Sequence, residues 1–121
     1  MASRDPIVQI KSMDFAARIV QVHEYLVKER KERRISDQLY RSGTSVQANI
    51  AEAQYAVSRP DFINKMQIAL KEANESRNWI TLLYKTGYFD ENAYRSLYDD
   101  INQIVMLLIA ILRTAKNEGD K

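Results

Sequence analysis

Between Lys11 and Lys116 the chain holds one Pro and two Gly, and that scarcity of breakers limits the fold more than any other feature. Hairpins and tight strand connections need Gly, Pro and other turn formers. Between the few breaks, apolar residues recur with helical periodicity and no strand-like alternation competes. The spacing predicts a first helix over about Ser12–Lys31, with Phe15, Ile19, Val22 and Leu26 on one stripe. Ser12 or Asp14 would cap its start, because either side chain can accept an orphan backbone N–H. Lys28, Arg30, Lys31, Arg33 and Arg34 cluster near its end, where cations complement the negative end of the dipole.

A second helix is expected over about Ser36–Tyr55. Leu39, Gly43, Val46, Ile50, Ala53 and Val57 keep an alternating spacing of four and three, a seam suited to shallow helix packing. Gly43 inside it costs roughly 1 kcal/mol relative to Ala, which a contact that only Gly permits would offset. Ser58-Arg59-Pro60-Asp61 is the clearest helix start: a cap, a Pro in the first turn and an acid at the positive dipole end. The third helix runs over 59–86 and Gly87 supplies a left-handed stop. Asp90 caps a fourth helix over about 90–116, with Leu97, Ile101, Ile104, Leu108 and Ile111 on its seam. Short connections between four such helices make a single domain over 1–121, an all-α, antiparallel up-down-up-down four-helix bundle. Residues 1–11 and 117–121 are expected to fray.

Composition removes many functions. With no Cys and one His, disulfides, thiolate metal sites and His-based metal clusters are excluded. Val20 stands three residues before His23, so the Glu-x-x-His of di-iron bundles is missing. No Gly-rich phosphate loop and no nucleophile elbow is present. The expectation is a protein that is not an enzyme and needs no cofactor. The longest apolar run, Ile104–Leu112, is far short of the roughly 20 residues that span a bilayer. The N-terminus lacks a signal-peptide core, so a cytoplasmic protein with no membrane partner is expected.

That apolar run has no polar face, and a helix apolar all round is expected to be buried all round. Val105, Met106 and Ile109 are therefore expected at the interface of a homo-oligomer. Glu52, Glu72 and Glu75 flank the seams with Ser42, Ser45 and Asn49. They would either form an acid–base pair or bond to Arg41 or Arg77 and hold helix register, and the second role is expected.

Residues 28–41 carry six cations against three acids, and residues 1–60 carry ten against seven. Arg30, Lys31, Arg33, Arg34 and Arg41 are the candidates for contacting the phosphates of RNA or DNA. The alternative is a solvated helix terminus on a protein-interaction scaffold.

Two stretches are more specific than a generic bundle. Arg41-Ser42-Gly43-Thr44-Ser45-Val46-Gln47-Ala48-Asn49-Ile50-Ala51-Glu52-Ala53, with Ser58-Arg59-Pro60-Asp61-Phe62, is one. Ile68-Ala69-Leu70-Lys71-Glu72-Ala73-Asn74-Glu75, leading to Trp79, is the other. They resemble the bacterial four-helix-bundle proteins encoded by intervening sequences in large-subunit ribosomal RNA genes. The accessory variability determinant of diversity-generating retroelements is a relative of that family. The resemblance covers about residues 12–115. It implies a homopentameric barrel of four-helix protomers. For the retroelement relatives it also implies binding to a reverse transcriptase and to nucleic acid through a basic surface, hence a nucleoprotein partner. The chain departs from the family pattern at Ala53, where Gly is common, and at Lys71-Glu72, where many members have Gly-Ser.

Overall fold

Asp5 and Pro6 start the first helix. In the computed structural model, which describes residues 5–119, Asp5 Oδ1 accepts the Ile7 backbone N–H at 2.9 Å and Pro6 takes the first helical position. Helix α1 (Pro6–Lys28) thus begins well before Ser12. Ser12 is no cap: it is buried, and its hydroxyl donates to the Gln9 carbonyl. Val8 extends the stripe of Phe15, Ile19 and Leu26 by a further turn, and its burial gives residues 6–11 a reason to be ordered. The fraying expected there, and at 117–119, does not occur. Residues 1–4 and 120–121 lie outside the described residues.

Helix α2 (Arg34–Ala53) starts earlier and stops earlier than its periodicity suggests. Its last turn tightens, with Tyr55 N–H donating to the Glu52 carbonyl and Ala56 N–H to that of Ala53. Val57 therefore leaves the seam and stands 91% exposed in the connection. Helix α3 (Arg59–Lys85) starts as its sequence dictates: Ser58 Oγ accepts the Asp61 N–H and Pro60 lies in the first turn. Its end is a Schellman motif built on Gly87 at φ +88°, with Tyr88 N–H bonded to the Leu83 carbonyl and Gly87 N–H to that of Tyr84. Asp90 Oδ1 accepts the Ala93 N–H and opens α4 (Glu91–Gly119).

Each helix packs on its neighbours in sequence, α1 on α2, α2 on α3, α3 on α4, and α4 closes lightly on α1. The backbones of α1 and α3, and of α2 and α4, stay apart across the core, so these are the diagonals of an antiparallel four-helix bundle. Its core is one cluster running from Val8, Phe15 and Ile19 through Met66 and Ile80 to Ile104 and Leu108. Polar links between neighbouring helices add to this packing, one of them buried and one at the surface. Ser42 and Ser76 meet Oγ to Oγ at 2.9 Å, fully buried between α2 and α3, and the Ser76 hydroxyl also lies 2.9 Å from the Glu72 carbonyl. Arg18 reaches from α1 to Asp100 at 2.7 Å and Ser96 at 2.8 Å on α4.

Candidate nucleic-acid interface

The α1–α2 and α3–α4 connections lie at the same end of the bundle and are tied together by one side chain. Arg30 donates to the carbonyls of Tyr88 at 3.0 Å and Gly87 at 3.2 Å, and its guanidinium sits 5.0 Å from the centre of the Tyr88 ring. Arg30, a candidate phosphate ligand, uses one N–H on each terminal nitrogen to clamp the two loops.

Helix α1 ends at Lys28 rather than Lys31, which changes the electrostatics of the cluster. Lys31 is in the left-handed region at φ +59°, its Nζ donating to the Lys28 carbonyl. Arg33 becomes the N-cap of α2 without a capping bond, and Arg34 its first residue. Two cations thus stand at the positive end of α2, opposite to the helix-end placement the sequence suggests. Glu32 makes this tolerable. Its Oε1 accepts the Ser36 N–H at 2.7 Å and its Oε2 the Ile35 N–H at 3.1 Å, while the residue is only 7% exposed. The acid next to the cations therefore faces inward and is spent on backbone amides.

An open depression of about 590 Å³ lies here, lined by Lys31, Glu32, Arg33, Arg34, Ile35, Thr86 and Tyr88. Lys31, Arg33 and Arg34 all line it and are exposed. Arg33 has a loose partner in Asp37 at 3.8 Å, and Asp37 is held more closely by His23 at 2.7 Å. Lys85, exposed in the last turn of α3 beside Thr86, adds a cation at the same end that linear clustering missed.

Arg41 does not belong to this patch. It lies on the α2–α3 seam, with Nη2 2.8 Å from Glu75 Oε2 and Nη1 3.2 Å from Glu72 Oε2. The guanidinium bond holds the Glu75 carboxyl below its ordinary range. Burial, helped by the neighbouring Glu75, pushes the Glu72 carboxyl above it. These carboxylates link α2 to α3 through Arg41, which stands apart from the patch and has them as its partners. No group of three or more His, Asp and Glu that could hold a metal ion occurs among the described residues. No described helix is long and apolar enough to cross a membrane.

The apolar run on α4 divides differently from its expected layout. Val105 is 3% exposed and belongs to the protomer's own core, so it is corrected as an interface residue, while Met106 and Ile109 remain at the surface.

Comparison with known proteins matches residues 4–110 to the family described as 23S rRNA-intervening sequence protein. A crystal structure from Bacteroides thetaiotaomicron, of a protein of unknown function from the S23 ribosomal protein family, is similar at 50% identity and a TM-score of 0.90. The match covers 92% of this chain and 99% of that one. No curated protein matches.

Proposed function

Because the chain belongs to the family of 23S rRNA-intervening sequence proteins, we propose that it is a non-enzymatic accessory protein that binds nucleic acid by its phosphates at the loop end of the bundle. One observation carries this reading: Lys31, Arg33 and Arg34 surround an open depression whose one acid, Glu32, is turned inward to cap α2. Exposed cations around a shallow surface suit backbone contact rather than base readout. The protein also assembles with further copies of itself, five by the resemblance of its sequence, and assembly multiplies the patch. A nucleoprotein is the natural partner of such a surface.

Fluorescence anisotropy with a labelled structured RNA and a duplex DNA, titrated at several salt concentrations, tests this. Log affinity should fall linearly with log salt, with a slope of about −2 to −3 for the three cations of one engaged protomer. Absence of binding at low salt would overturn the reading and leave a protein-interaction scaffold.

A further inference from the structure

Arg33 lines two hollows at once. One is the basic depression, and the other is a groove of about 340 Å³ between α1 and α2 that it shares with His23. His23 is the only histidine of the chain, and it stands partly buried on α1 with its Nε2 2.7 Å from Asp37 Oδ1 on α2. Arg33 Nη1 approaches the same carboxylate oxygen at 3.8 Å. The Tyr40 ring packs on the imidazole, with ring centres 4.8 Å apart. The other charged groups lining the groove are Glu24 and Lys28 of α1, which answer each other at 2.7 Å. The charges between α1 and α4 lie on the side of α1 that faces α4, where Arg18 is paired with Asp100.

We propose that His23 governs the reach of Arg33 to phosphate, so that the loop-end patch holds nucleic acid more tightly in mild acid. This control rests on the phosphate binding proposed above and adds a regulator to the same site. Among side chains in their ordinary state, histidine is the one that changes charge between about pH 5 and 8. At 2.7 Å from a carboxylate oxygen, Nε2 of the neutral ring is the donor. The neutral ring therefore leaves Asp37 its full negative charge, and Arg33, four residues before it, is drawn to that charge. When Nδ1 takes a proton from solvent, the ring becomes a cation. It then answers the Asp37 charge at contact distance and repels Arg33 from the oxygen they share. The Arg33 side chain is 66% exposed, so its release costs little and frees its donors for a phosphate in the depression.

The experiment is the anisotropy titration with a labelled structured RNA, run at about pH 5.5 and about pH 8 and at several salt concentrations. Wild type, His23→Gln, Arg33→Gln and Asp37→Asn are compared, with circular dichroism confirming that each is folded. The wild type should bind about three- to tenfold more tightly in acid, with its salt slope steeper by about one phosphate contact. His23→Gln keeps a donor for Asp37 but cannot take up charge, and should lose the difference. Arg33→Gln should lose it too although its imidazole remains, which separates the release of Arg33 from a general gain of positive charge. Asp37→Asn should bind at both pH values as the wild type does in acid. A response that persists in His23→Gln, or stays at full size in Arg33→Gln, overturns the control. So does a wild type that binds equally at both pH values, and each of these results leaves phosphate binding standing. RNA that fails to bind at either pH overturns phosphate binding, and the control with it.

Discussion

A Cβ atom added to Gly43 would stand 3.1 Å from both Cγ1 and Cγ2 of Ile19, so the α1–α2 crossing is closed by a glycine packed against a β-branched side chain. Ile19 is fully buried and stiff at χ1, so it has little room to give the few tenths of an ångström that a Cβ would require. Gly43→Ala should gain roughly 1 kcal/mol of helix propensity and lose more than that to the displaced Ile19. A net loss of about 1 kcal/mol is expected in urea denaturation. In an Ile19→Ala background the same change should become stabilising, since the Cβ then occupies vacated space. Equal effects of Gly43→Ala in both backgrounds would refute the contact.

Glu32 supports the start of α2 from a buried position, so Glu32→Ala should cost about 1–2 kcal/mol by leaving two amide N–H groups unpaired. Hydrogen exchange at Ile35 and Ser36 should accelerate well before the rest of α2 responds. Unchanged exchange at those two amides would contradict the capping role.

Arg30 and Arg34 are separable by function. Arg30→Ala should cost about 1 kcal/mol of stability, because it unties the two loops, and lower the melting temperature accordingly. Arg34→Ala should leave the melting temperature unchanged and reduce both nucleic-acid affinity and the salt slope by about one contact. The reverse pattern would exchange the two assignments.

The Glu72–Glu75 pair predicts opposite pH signatures. Glu72, raised by burial, holds its proton more firmly in the folded state. Its ionisation therefore costs stability, increasingly as pH rises from its ordinary 4.5 through the folded value. Glu75, lowered by its Arg41 bond, contributes stability above its ordinary 4.5 that disappears as pH falls through the folded value. At pH 7, Glu72→Gln should match or exceed the wild type, while Glu75→Gln should lose no more than about 1 kcal/mol, less in high salt. Both differences should shrink in acid. Thermal melts between pH 3 and pH 7 check the signs.

The four helices were legible because bundle helices are specified by local periodicity and punctuation. Ser58 with Pro60, Gly87 and Asp90 all act where they stand in the sequence. The start of α1 is written in the Asp5-Pro6 pair, but what orders the first two turns is Val8 reaching the core, a contact made only in the folded bundle. The basic site was legible only as a cluster. Six cations in a short stretch announce a patch, whereas which of them are free depends on partners distant in sequence. Arg30 meets Gly87 and Tyr88, and Arg41 meets Glu72 and Glu75.

The apolar run of α4 shows the same division. An unbroken apolar run drew attention to Val105, Met106 and Ile109, but the core claims Val105 because closure of the bundle buries that side of α4. Periodicity, caps and breakers act within a few residues, so the sequence alone determined the helix number, order and class. Which cations stay unpaired and which apolar side chains stay uncovered depends on contacts between helices, and the tertiary structure decided those.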